Sequence, residues 1–277
     1  MLSPRELGLA LGVSESSLKR WIDAGKIIAT RTDGGHRRIA LPEAVRFIRE
    51  TNAPLAHPEV LDMPEVAVAH ERGVRTDRLL PYLERGDAAG ARGWLLARYL
   101  AGAELSELCD GAVREAMHAL GERWLHGEEG VFVEHRGTDV CLQALAYLRG
   151  TLAEPPAEPI ALGGGPEDDP YLLPSFMASM VVTAAGLRAI NLGPDTPVSA
   201  LQQAFLAHQP RLVWISASTK LAPARAREIA HWIAALPPTT IGVVGGRESD
   251  RIAAAHPAVR HVMTMAELAT IASGIVS

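Results

Sequence analysis

The sequence predicts a multidomain chain: a winged helix-turn-helix, then a four-helix bundle, then an α/β domain on a parallel five-stranded sheet. Three observations predict it. Two capped helical stretches and a basic Gly-Gly hairpin open the chain. An Ala/Leu-rich middle repeats apolar residues at helical spacing. Beyond a proline-rich break, short apolar strands alternate with helix-length segments. Over 277 residues, 48% apolar and 21% charged, this composition excludes wholesale disorder and collagen-like repeats. No apolar run approaches the ~18–20 residues that span a bilayer. Residues 1–6 lack the basic stretch and apolar core of a secretory signal. Cys109 and Cys141 are too few for a disulfide framework or a four-cysteine zinc site and read as buried thiols. A cytoplasmic protein is expected, with no membrane partner.

Residues 1–52 form the first expected domain. Ser3-Pro4-Arg5-Glu6 combines a capping box with proline at the first helical position, so a helix should run from Pro4 to about Leu11, burying Leu7, Leu9 and Leu11 or their neighbours. Gly12 breaks it and Ser14 caps a second helix to about Ala24, whose Leu18, Trp21 and Ile22 share an inward face. Ser16, Ser17, Lys19 and Arg20 are left for solvent or DNA. Ile27 to Thr32 and His36 to Ala40 read as strands of a hairpin around Asp33-Gly34-Gly35, and Pro42 starts a third helix carrying Ala44, Val45 and Ile48. This domain has nine Lys/Arg against six Asp/Glu, while the remaining residues have 18 against 26. A basic end on an acidic protein is the electrostatic footprint of nucleic-acid binding.

The strings Ser3 to Gly12, Ser14 to Trp21, Ala24-Gly25-Lys26-Ile27 and Thr32-Asp33-Gly34-Gly35-His36-Arg37-Arg38-Ile39 together closely resemble the winged helix-turn-helix of the MerR family. The resemblance implies that the second helix enters the major groove of double-stranded promoter DNA while the wing contacts the adjacent backbone. Lys19, Arg20, Arg37 and Arg38 are then phosphate or base contacts, with Ser16, Ser17 and His36 beside them. Trp21 reads as core. One such unit reads few base pairs, so a homo-oligomer, dimer or tetramer, is expected on repeated half-sites.

Residues 53–75, with Pro54, Pro58 and Pro64, read as a linker, and residues 76–152 as a helical bundle with helices near 77–86, 89–101, 104–126 and 131–150. In the third helix Leu105, Leu108, Ala112, Ala116, Leu120 and Trp124 recur at near-helical spacing. Trp124, then nine residues including Val131, then Glu134-His135 resembles the bundle signature of CarH-type cobalamin-dependent photoreceptor regulators. By that resemblance Trp124 covers the upper face of cobalamin, Glu134 contacts the same region, and His135 is a possible upper axial metal ligand.

Residues 153–159 are a linker by composition, and residues 160–277 form the α/β domain. Strands are expected at Ile160 to Gly163, Ala189 to Leu192, Leu212 to Ser216, Ile241 to Val244 and His261 to Thr264, with helices through Ala185 and near 198–208, 222–236 and 265–275. This fits a flavodoxin-like (Rossmann-like) order, with ligand outside the C-terminal strand ends. Gly163-Gly164-Gly165, Ser216-Ala217-Ser218-Thr219 and Gly245-Gly246 follow three of those strands. Together they resemble the cobalamin-binding domain, which implies that Ser216, Ser218, Thr219, Gly245 and Gly246 hold a nucleotide tail. One loop departs from the family pattern D-x-H-x-x-G. Here it reads Asp169-Pro170-Tyr171-Leu172-Leu173-Pro174, with Tyr171 in place of the lower axial histidine. Asp168 and Asp169 read as a solvent-facing loop pair.

No nucleophile–base constellation stands out, so an enzyme is not expected. The leading reading is a transcriptional regulator, a repressor by resemblance, whose sensor region binds cobalamin (adenosylcobalamin) and controls oligomerisation, with light disassembling the oligomer. Two alternatives stay open: a cofactor-independent regulator or antirepressor scaffold, and a haem or other tetrapyrrole sensor in which Tyr171 and His135 are the axial pair.

Overall fold

The computed structural model describes residues 1–66, 78–123 and 128–276. The chain forms two compact units, Met1–Ala153 and Glu154–Ser277.

The first unit begins with α1 (Pro4–Ala10), capped through the reciprocal Ser3–Glu6 box, and α2 (Glu15–Asp23), capped by Ser14. Leu7, Ala10 and Leu11 are buried, whereas Leu9 is 54% exposed. The expectation for Leu9 is corrected by helix geometry: Leu7, Ala10 and Leu11 stand at i, i+3 and i+4, and Leu9 falls off that stripe. β1 (Thr30–Arg31) and β2 (Arg37–Arg38) are shorter than the expected strands. Gly35, with φ of 77°, closes the turn, and its N–H donates to Thr32 O at 2.8 Å. Leu2 adds a further rung, its N–H reaching Ile39 O at 2.7 Å. α3 (Leu41–Thr51) closes the core with Ala44, Val45, Phe47 and Ile48, and Phe47 meets the ring of Trp21 at 5.2 Å between centroids.

The segment expected to be a linker is in part built into this unit. The N–H groups of Ala56 and His57 donate to Ala10 O, a 3-10 turn spans Pro58–Leu61, and Leu61, Met63 and Val66 are buried. Burial of these three side chains overrides the proline-rich look of the stretch. The rest of the expected linker, residues 67–75, lies outside the described residues.

Helices α4 (Leu80–Arg85), α5 (Ala88–Leu100), α6 (Leu105–Leu108), α7 (Arg114–Arg123) and α8 (Glu128–Arg149) follow. α8 packs on α4, α5 and α7. Its Gly137 lies against Leu120, whose Cδ1 would be only 2.7 Å from an added Cβ. A π turn at Cys109–Val113 joins α6 to α7. It inserts one residue into the helical repeat, so Val113 takes the fully buried place expected of Ala112. Cys109 and Cys141 are buried, and burial pushes both thiols up to about 12, so they stay protonated at neutral pH. α3 also touches α5: the Arg49 guanidinium lies 3.8 Å from the Tyr99 ring centre and donates to the carbonyls of Tyr99 and Ala103.

The second unit is a five-stranded parallel sheet in the order β4-β3-β5-β6-β7. Its strands are β3 (Ile160–Gly164), β4 (Arg188–Asn191), β5 (Leu212–Ser216), β6 (Ile241–Gly245) and β7 (Arg260–His261). Counted within the unit this is order 2-1-3-4-5, as expected. β3 and β5 are buried on both faces, which explains their uninterrupted apolar character. Helices α10 (Val198–His208), α11 (Pro223–Ala234) and α12 (Asp250–Ala255) cover one face, packing on Val213, Ile215 and Val244. α9 (Leu172–Ala184) and α13 (Met265–Val276) pack together on the other. α12 lies outside the expected helices: it is six residues long and presents only Ile252 as a fully buried anchor, too little for a periodic signal.

Candidate functional site

Three groups of residues carry the chemistry. The first is a groove of about 550 Å³ between the two N-terminal helices and the hairpin, lined by Ser3, Pro4, Arg5, Glu15, Lys19, Arg31, Gly35, His36, Arg37 and Arg38. Five of these are Arg or Lys and one is acidic, so the groove is strongly electropositive. The fold brings Lys19, His36, Arg37 and Arg38 together as expected. It adds Arg5 and Arg31. Their only prior signal was basicity next to the first cap and next to the hairpin turn. Arg37 is committed to the fold as well as to the groove: it bonds Asp23 at 2.6 Å and Lys19 O at 3.3 Å, so it clamps the hairpin onto α2. Lys19 pairs with Glu15 at 2.8 Å and remains half exposed. Ser16 and Ser17 cluster with the Ser14 cap at 2.8 and 3.0 Å, and Arg20 donates to the Ser17 hydroxyl. These three lie on the outward face of α2 and do not line the groove.

The start of the hairpin is held from behind. The Glu43 carboxylate accepts the Ile28 N–H at 2.7 Å and pairs with Arg46. Partial burial pushes this carboxyl up, but Arg46 and the Ile28 N–H outweigh it, so the group titrates below its ordinary value.

The second group lies on α8. Val131, Glu134 and His135 stand at i, i+3 and i+4 and so share one face. Glu134 is largely sheltered and accepts a hydrogen bond from Thr138 at 2.9 Å. His135 is 66% exposed, with Nε2 at 3.6 Å from Glu134. Phe132 is exposed under the Arg136 guanidinium, at 4.7 Å. Trp124 lies outside the described residues.

The third group is the C-terminal edge of the sheet. Ser216 ends β5, Ser218 and Thr219 follow it, Gly245 ends β6 and Gly246 follows with φ of 102°. The structure thus places all five at adjacent strand ends. Tyr171 is the N-terminal cap residue of α9 and is half exposed. The expectation that Asp168 and Asp169 both face solvent is corrected. Asp168 is exposed, but Asp169 is wholly buried and accepts the N–H groups of Ser218 (2.5 Å), Thr219 (3.1 Å) and Tyr171 (3.1 Å). A buried carboxylate is tolerated because these donors replace its hydration. Two of the three partners, Ser218 and Thr219, lie 49 and 50 residues away in sequence, so no local pattern announces them.

Comparison with known proteins agrees with this architecture. Residues 76–149 match the family model of the B12 binding domain. The chain is 28% identical over 263 residues to the HTH-type transcriptional repressor CarA of Myxococcus xanthus, covering 88% of this chain and 87% of that protein. Among solved structures, the monomethylamine corrinoid protein of Methanosarcina barkeri superposes with a TM-score of 0.54 at 14% identity, over 71% of this chain and 96% of that one. At that identity the structural match shows the fold alone. A cobalamin-binding protein of Desulfitobacterium hafniense gives a TM-score of 0.39 at 19% identity, over 72% of this chain and 97% of that one. The likeness to CarH-type regulators drawn from the motifs is thus shown by independent comparison.

Proposed function

We propose that this CarH-like chain is a DNA-binding transcriptional repressor whose sensor region takes cobalamin. The observation that carries the reading is the extent of the match to a named repressor. At 88% of the chain it is too long to be confined to either compact unit.

The N-terminal groove supplies the nucleic-acid side. Lys19, Arg20, Arg38 and the added Arg5 and Arg31 neutralise phosphates, and binding falls steeply with salt. Arg37 orients the hairpin while contributing charge. His36 adds a hydrogen bond within the groove, and Ser16 and Ser17 add theirs, beside Arg20, from the outward face of α2. One groove reads one half-site, so repression uses a homo-oligomer on repeated half-sites, where linked copies raise affinity without new contacts.

The sensor residues fit cobalamin in part. Val131, Glu134 and His135 share one face of α8, as an upper-face contact requires, and by resemblance Trp124 joins them. Ser216 and Ser218 stand beside Gly245 and Gly246 at the sheet edge, where the resemblance puts the nucleotide tail. Tyr171 does not fit the cobalt-ligand role that the resemblance gives to a histidine, because a phenol is a poorer neutral donor than an imidazole. Bound adenosylcobalamin would supply a light-cleavable cobalt–carbon bond. The chain's own part is to present His135 and Glu134 to that region and to couple α8 to oligomer state. The DNA partner places the protein in the cytoplasm.

The test is DNA binding by the full chain to fluorescent promoter DNA, with adenosylcobalamin, in the dark and after illumination. Tight dark binding that is lost in light supports the reading. A protein that retains no corrinoid and binds DNA equally in both conditions is a cofactor-independent regulator. Absence of DNA binding in either condition overturns the repressor assignment.

A further inference from the structure

The sheet edge does more than lack a histidine. Trp214 stands two residues before Ser216 and therefore on the same side of β5, away from the face packed with Val213 and Ile215. It is 2% exposed, and it lies against Gly163 so closely that a Cβ there would be 2.2 Å from the indole Cδ2. Its Nε1 is buried without a hydrogen-bond partner among the described residues. The space below Ser216 on that face is therefore filled by the chain's own ring.

The loops above it are tied to one another. Asp169 occupies the N–H groups of Ser218 and Thr219, and Asp195 accepts the Asp168 N–H at 2.8 Å. Glu167 pairs with Arg225 at 2.5 Å. A Cβ on Gly246 would be 2.4 Å from Ala217 O, so that glycine accommodates the neighbouring backbone and leaves no gap beside it. The glycines and amides that the motifs offered to a nucleotide tail are thus already engaged inside the protein.

A cobalamin gives up its own benzimidazole at neutral pH only when a stronger ligand takes the cobalt and a pocket takes the displaced base. Here Tyr171 does not provide the first and Trp214 fills the second. We infer that the sheet edge of this unit does not take the displaced base of a cobalamin, so that a cobalamin bound by this chain keeps its own base on the cobalt. The inference rests on the cobalamin reading above and departs from the histidine-ligated mode that the resemblance implied.

The test uses the full chain loaded with adenosylcobalamin in the dark and desalted. Its visible spectrum should keep the base-on form of the free cofactor. After photolysis to the cobalt(II) state, the electron paramagnetic resonance lines should be split into triplets by one axial nitrogen. Those triplets should become doublets when the corrinoid's benzimidazole carries nitrogen-15. Tyr171→His, at a half-exposed position, should leave both signatures unchanged, because the base still has no slot to enter. A base-off spectrum, or an axial nitrogen blind to the label in either protein, overturns the inference and leaves cobalamin binding intact. A desalted protein without corrinoid overturns the cobalamin reading and this inference with it.

Discussion

The N-terminal groove turns its charges outward, whereas the C-terminal edge of the sheet turns its polar groups inward upon one another. In the groove, Arg5, Lys19, Arg31 and Arg38 line an open concavity and only Arg37 is clamped by both an acid and a carbonyl. At the sheet edge, Asp169 is buried and the Ser218 and Thr219 amides are its donors. The difference teaches that like-looking motif matches differ in what they leave for a partner. A basic hairpin keeps its binding atoms because charge is stable in water. A Gly/Ser-rich strand end does so only if the rest of the fold does not use those atoms first.

Perturbations of the closed edge should have the largest effects. Trp214→Ala removes a buried indole from the middle of a sheet and should destabilise the second unit by about 3–5 kcal/mol, read from denaturant unfolding. Asp169→Ala leaves the Ser218 and Thr219 amides without their acceptor and should cost about 2–3 kcal/mol in the same assay. It should also raise amide hydrogen exchange at residues 216–219. If exchange there is unchanged, the Asp169 hydrogen bonds are not what closes this edge.

The groove should answer differently, in DNA affinity more than in stability. Lys19→Ala should weaken binding about equally for all sequences and lower the slope of log affinity against log salt by ~1. Arg37→Ala should do the same and also loosen the hairpin, with a stability cost of no more than ~1 kcal/mol because the Asp23 partner is exposed. A neutral salt slope for both variants would falsify the groove as the phosphate-binding surface.

The smallest effect is a pH dependence at the base of the hairpin. The Glu43 carboxyl is held below its ordinary value in the folded chain, so its stabilisation is present above the unfolded value near 4.5 and is lost as pH falls through the folded one. Glu43→Gln should lower the unfolding midpoint at pH 7 and converge with the parent protein in acid. Parallel curves over the whole range would show that the carboxylate does not hold Ile28.

Legibility followed the range of the interaction. The Ser3–Glu6 box and the Ser14 cap lie within one helical turn, so both helix starts could be read directly. The alternation of strands and helices gave away the sheet, because crossover units leave a long-period signal. Leu2 pairing with Ile39, the burial of Leu61 and Met63, and the π turn that moves Val113 into the core left no such trace. In the candidate sites, Lys19, His36, Arg37 and Arg38 were found from local chemistry, while Arg5 and Arg31 joined them only once the hairpin folded back.

What the sequence by itself determined was where the capped helices α1 and α2 begin, which end is basic, and which residue types stand at each strand end. Those properties depend on neighbours a few residues apart, whereas the expectation of a CarH-like regulator, with tyrosine in place of the lower-ligand histidine, rests on the resemblance of its motifs to that family. Only the tertiary structure decided that Asp169 is a buried acceptor, that Trp214 fills the ground beside Gly163, and that Arg37 is part clamp. Each of those outcomes joins atoms from segments far apart in the chain. Burial turns such contacts into firm requirements, because a buried carboxylate or amide must be satisfied by whatever the fold brings to it.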